Sequence, residues 1–188
     1  LEVYATKASK VLDSNNVALV DKSTLNTAGY ATRSSATGDV HPLFNSSTLS
    51  MSDAEMLETK VRLNRAQDNG NILHEMAFSL RGDWLVENKL YDPETLELDQ
   101  DKLKRAEQHI VADLFDKGFK LPLGEGENDV VWFGVIHQDT DHLNMHLWFA
   151  KESKETRSEM LHHSGEPIGV IDFRAKKQAE AKFRYELE

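Results

Sequence analysis

The chain has 188 residues, a net charge of −10 and no cysteine. That length suits one domain with a sizeable core, residues 1–188 as a whole, and no apolar run approaches the roughly eighteen residues a membrane span needs, so no membrane insertion is expected. Lack of cysteine excludes disulfides, thiolate zinc sites and cysteine nucleophiles together, so any metal must be held by nitrogen and oxygen; a cytoplasmic location is expected.

The charge is uneven. Residues 1–50 carry four basic and four acidic side chains and residues 151–188 eight of each, so residues 51–150, with ten and twenty, hold the whole excess. Such a balance argues against a protein that coats nucleic acid nonspecifically, because phosphate contact is the main source of that affinity. It leaves room for a local basic groove, and Lys151, Lys154 and Arg157 are the candidate DNA-binding side chains.

In chain order, Val3–Leu12 and Val17–Val20 flank a polar turn and read as an edge hairpin. Residues 21–35 read as a short helix ending in a polar loop near Tyr30. An ordered loop follows, anchored by Pro42-Leu43-Phe44. Ser52 and Glu55 have the spacing of a capping box, and Met56, Val61, Leu63 and Ala66 supply the apolar positions of a helix stopped by Asn69-Gly70. Residues 71–80 read as a strand with Leu73, Glu75, Ala77 and Ser79 on one face and His74, Met76, Phe78 and Leu80 on the other. Either His74 or Glu75 should therefore line a buried site.

Trp84–Tyr91 reads as a short helix, followed by a turn at Asp92-Pro93. Asp99 or Asp101 caps the next helix, which runs through Leu103, Ala106, Ile110, Val111, Leu114 and Phe115 to a stop at Gly118. After a loop at 122–129, the apolar runs Val130–Ile136 and Leu147–Ala150 enclose His137-Gln-Asp-Thr-Asp-His-Leu-Asn-Met-His146. This is a hairpin. A turn from Asp139 to His142 sets His137 opposite Asn144, and the two-residue strand period brings His146 to the same face. Both faces of these strands are otherwise apolar, as suits the middle of a sheet. Residues 153–167 are polar and include the loop pair His162-His163; a charged helix ends the chain. The expected class is α+β, with a central antiparallel sheet and flanking helices.

Two imidazoles and an amide oxygen form a mixed donor set that suits manganese, magnesium, nickel or zinc. Asp139 or Asp141 could ligate directly or accept a hydrogen bond from a ligand imidazole and fix its tautomer. An open three-ligand site admits substrate oxygens, so the expected reaction is metal-assisted attack on a phosphodiester or ester.

The spacing His137-x-Asp139 with Asn144-x-His146 resembles the motif of the HUH endonucleases. Specifically, it is similar to the Mob-type relaxases of conjugative and mobilisable plasmids, whose usual form is His-x-Asp followed by His-hydrophobic-His. Pro42-Leu43-Phe44, Ala66-Gln67 with Gly70, Phe78-Ser79, Trp84-Leu85, Tyr91-Asp92, Leu98-Asp99 and Val131-Trp132 also resemble the MobL/MobP branch. The resemblance runs from about Tyr30 to Lys154.

It implies an HUH relaxase-like fold in the N-terminal domain of a longer protein, in keeping with a chain that starts at Leu1-Glu2 and ends at Leu187-Glu188. It further implies metal-dependent, strand-specific nicking of DNA at an origin of transfer, with a covalent 5′-phosphotyrosine intermediate. The cofactor would be Mn2+ or Mg2+. The partners would be single-stranded or duplex origin DNA and conjugation accessory proteins, in the bacterial cytoplasm. His137, Asn144 and His146 would hold the metal, Asp139 would be the carboxylate partner supporting catalysis, and Tyr30 best fits the nucleophile, with Tyr4 or His41 as substitutes.

The departure is at Asn144, which stands where the pattern has a histidine, while His142 falls two residues earlier. Asn144 ligates, or His142 replaces it, or the domain binds DNA with weakened catalysis; the first is preferred. A rolling-circle replication initiator of the same superfamily and a non-catalytic DNA-binding module are the rival readings.

Overall fold

The computed structural model describes residues 43–121, 129–138, 142–169 and 172–188, with the backbone alone for His137 and Gln138. The expected hairpin at the N-terminus and the helix within residues 21–35 lie outside the described residues. Four strands form one antiparallel sheet in the order β1-β5-β6-β2: β1 is Leu43–Phe44, β2 His74–Arg81, β5 Val130–Gln138 and β6 His142–Lys151. A small hairpin, β3 (Tyr91–Asp92) with β4 (Glu97–Leu98), lies between. Among the described residues four α-helices accompany the sheet: α1 (Asp53–Asp68), α2 (Gly82–Glu87), α3 (Gln100–Phe119) and α4 (Phe173–Leu187). This is the expected α+β architecture. Among the described residues no helix is long and apolar enough to cross a membrane.

Helix α1 begins where its sequence says it should. Ser52 accepts from the Glu55 amide while Glu55 accepts from the Ser52 amide, so two otherwise orphaned donors are satisfied. Those bonds hold the Glu55 carboxyl below the usual range, the backbone one first. The inward stripe is Met56, Thr59, Leu63 and Ala66. Val61, expected among the apolar positions, is 48 % exposed. The helix presents Thr59 inward instead, its hydroxyl bonded to the Glu55 carbonyl. The chain then turns at Gly70, whose φ of 77° suits a residue without a side chain.

Helix α3 is capped by Asp99, which accepts from the Lys102 amide. It passes through Gly118, the expected stop, and ends one residue further, with Lys120 taking the left-handed conformation at φ 54°. Gly118 is buried inside the last turn, where its carbonyl receives the Asp172 amide at the entry to α4. The predicted helix at 84–91 is shorter and earlier, Gly82–Glu87, because Lys89 adopts φ 57° and Tyr91 joins the small hairpin.

The sheet separates two cores. On one face α1 packs Met56, Leu63 and Ala66 against Leu43, Val131, Phe133, Val135, Trp148 and Ala150. On the other, α3 and α4 cover Phe78, Leu80, Trp132, Ile136, Met145, Leu147 and Phe149. Each such side chain taken from water contributes about 1.5–3 kcal/mol. Gly134 is required on this second face. A Cβ there would lie 2.4 Å from the Phe44 ring and 2.8 Å from the Glu107 carboxylate. Glu107 itself is fully buried, and neither of its oxygens has a hydrogen-bond partner. Burial pushes its carboxyl well above the usual range, so it is held as the neutral acid.

Candidate metal centre

Strand register builds the site. His137 pairs with Asn144, and Asn144 with Ser79; one pleat further on, Val135 pairs with His146, and His146 with Ala77. Partners in an antiparallel ladder share a face, so His137, Asn144 and His146 lie on the α1 side of the sheet. They start where the apolar cover ends, since Val135 is the last residue of β5 packed into the α1 core. The alternation of β5 and β6 thus continues across the boundary, and the residues on that face change from apolar to polar.

His146 is oriented by a neighbouring strand. Its Nδ1 lies 3.1 Å from Glu75 Oε1, and the two side chains are only 16 % and 15 % exposed. Glu75 stands opposite Trp148, one pleat below His146 on the shared face. A carboxylate on Nδ1–H selects the tautomer whose lone pair is on Nε2, the arrangement of an imidazole that ligates a cation. Asn144 is half-buried and His142 exposed, the latter paired across the strands with Arg81. A half-buried amide oxygen and an oriented imidazole are hard and borderline donors, which suits a divalent cation. Among the described residues no group of three or more His, Cys, Asp or Glu side chains could hold a metal. The backbone register places His137 opposite Asn144 on the ladder.

The other expected site residues are distributed differently. Tyr30 and Asp139, with Tyr4, His41 and Asp141, lie outside the described residues. His74 is on the opposite face, stacked on Phe149 at 4.9 Å and packed on Phe119 at 4.6 Å. Desolvation lowers its pKa to about 4, so it is a neutral, half-buried ring packed against the core aromatics. Of the pair His74 and Glu75, the structure brings only Glu75 to the histidine face.

Lys151 is at the far end of β6, five residues from His146, or about 17 Å at strand rise. Its ammonium is 3.0 Å from Asp129, which also accepts from Ser153. Partial burial opposes ionisation of Asp129, but these bonds prevail and hold its carboxyl below the usual range. Arg157 is clamped on Glu155, whose carboxyl it holds low, and on the Lys120 carbonyl. Lys154 is exposed beside them. These three cations therefore do not border the histidines. Among the described residues the basic one in register beside them is Arg81, opposite His142, which the strand period could have revealed, because it continues the series Glu75, Ala77, Ser79.

No curated protein and no solved structure gives a significant match to the chain. The sequence model of the MobL relaxases matches residues 11–186, nearly the whole length. The protein belongs to the MobL relaxase family.

Proposed function

We propose that this protein nicks one strand of DNA at a plasmid origin of transfer by transesterification, at the face formed by His137, Asn144 and His146. The observation that carries the reading is the ladder register that aligns His137 with Asn144 and sets His146 one pleat away, with Glu75 on its Nδ1. These residues fit a divalent cation, Mn2+ or Mg2+, which when bound supplies positive charge to the non-bridging oxygens of the scissile phosphate.

The remaining roles fall to the chain. Tyr30 is the proposed nucleophile; its phenolic oxygen bonds to phosphorus as the bond from phosphorus to the 3′ oxygen breaks, and the phenolic proton ends on the departing 3′ hydroxyl. A phenol with an ordinary pKa of about 10 needs an acceptor for that proton at neutral pH, and Asp139 is the carboxylate proposed to assist. One phosphodiester replaces another, so the strand can be rejoined by the reverse step. Glu75 is the positioning residue for His146. Origin DNA, conjugation accessory proteins and a bacterial cytoplasmic setting complete the reading.

Supercoiled plasmid bearing the cognate origin should be converted to open circles only with Mn2+ or Mg2+, leaving protein on the 5′ end. Tyr30→Phe should leave no covalent adduct; an adduct that persists would move the nucleophile to Tyr4 or His41. Calorimetric Mn2+ titration of Asn144→Ala and His142→Ala assigns the third ligand, and unchanged affinity in Asn144→Ala would remove Asn144 from the set. Absence of nicking by the native protein under all these conditions would favour a non-catalytic DNA-binding module.

A further inference from the structure

Helix α4 turns Ala175, Ala179, Phe183 and Leu187 inward, a strict four-residue series. At about 100° per residue, the outward half of the helix carries Phe173, Arg174, Lys177, Gln178, Ala181, Arg184 and Tyr185, three cations against one exposed carboxylate, Glu188, just past the last turn. The two acidic residues of the helix, Glu180 and Glu186, are half-buried beside the inward stripe. On a chain of net charge −10 this face is opposite in sign to the whole. Phe173 and Tyr185 are 66 % and 79 % exposed, unusual for large aromatic rings. Lys177 Nζ is 5.5 Å from the centre of the Phe173 ring and 3.5 Å from Glu180. The two rings stand twelve residues apart, about 18 Å along the helix axis.

Cations alone would suit a duplex, an anionic bilayer or an acidic protein. The aromatic rings discriminate. A helix that lies in a bilayer must offer its apolar stripe, whereas the stripe of α4 is already buried, with Phe183 stacked on Phe78 of the sheet at 4.7 Å. A duplex keeps its base faces stacked and closed to side chains. Single-stranded nucleic acid offers both unstacked bases and a charged backbone, and proteins that hold it combine aromatic platforms with cations.

We propose that the outer face of α4 is a single-stranded DNA track, with phosphates on Arg174, Lys177 and Arg184 and bases stacked on Phe173 and Tyr185. It lies on the helix layer opposite the histidine face and so contacts strand outside the reaction centre; it rests on the relaxase reading only for the choice of DNA over RNA.

Fluorescence anisotropy with a labelled oligothymidine of about twenty nucleotides tests it. Changing Arg174, Lys177 and Arg184 together to Glu should weaken binding at least about tenfold and reduce the slope of log affinity against log salt by about 2. Phe173→Ala with Tyr185→Ala should weaken binding about tenfold with the slope unchanged. All five side chains are outward, so an unchanged thermal midpoint is expected; if the Glu triple unfolds, the triple to Gln replaces it. The His146→Ala protein should lose nicking yet keep its oligothymidine affinity, which separates failure of the track from failure of the proposed reaction. The inference is overturned if neither set of variants alters affinity. It is equally overturned if a duplex of the same length binds as tightly and is insensitive to the aromatic changes, or if the variants lose binding only to vesicles of anionic lipid.

Discussion

The two faces of the central sheet are made by alternate residues of the same strands, yet they have opposite fates. Adjacent residues of β2 show the contrast at its sharpest. His74 enters the face covered by α3 and α4, where rings on either side strip it of water and hold it neutral. Glu75, one residue later, enters the α1 face in the row of Trp148 and Phe133, where His146 of the next row gives it a partner. Residue type did not decide which of the two packed among aromatic rings. What surrounded it did, and a chain rich in histidine need not have a histidine site wherever one occurs.

The closed face should be broken most severely by Phe149→Ala, which empties the space between Phe115, Phe119 and His74. Chemical denaturation should show a loss of about 4 kcal/mol. His74→Phe tests the same packing more gently. The folded pKa near 4 lies below the ordinary 6.5, so the unfolded chain binds the extra proton between those values. Stability from this group is therefore fully present above pH 6.5 and lost as pH falls through 4, by about 3 kcal/mol over the window. His74→Phe should flatten that acid slope.

On the open face, Glu75→Ala should weaken Mn2+ binding by about a hundredfold and Glu75→Gln by about tenfold, since the amide keeps an acceptor for Nδ1–H but loses the charge. An equal fall in both would show that charge, not the hydrogen bond, orients His146.

The smallest expected effect returns to the closed face. The Glu107 carboxyl is held protonated by burial, so the unfolded chain loses its proton first as pH rises past 4.5. Its contribution is fully present below 4.5 and is lost as pH climbs through the raised folded value. That slope opposes the one from His74. Glu107→Gln should make stability rise more steeply between pH 4.5 and 6.5, and Glu107→Leu should add about 1–2 kcal/mol near neutrality by removing an unsatisfied buried acid. A pH profile of denaturation midpoints reads both variants against the native chain.

Much of this was legible in the residues. The capping box at Ser52, the cap at Asp99, the hairpin and the facing of His137, Asn144 and His146 follow from local rules, because a ladder with a short turn has one register that keeps apolar side chains on buried faces. Val61 and Gly118 were read differently, since a periodic pattern does not show which side of a helix a neighbour will cover or whether a glycine will be enclosed by the next helix. The placement of the basic cluster after the hairpin was not legible for a related reason. Lys151 and Arg157 are adjacent to the histidines in sequence, but an extended strand carries them to the opposite end, where Asp129 and Glu155 hold them.

The sequence by itself therefore determined the main helices and the central hairpin, their polarity and the family, all of which rest on spacing along the chain. Only the tertiary structure decided that Glu75 and not His74 joins His146, that Arg81 stands beside His142, and that α4 leaves a basic and aromatic face outward. Those are distances between segments far apart in the chain, set by which layer covers which face of the sheet, and no local period encodes them.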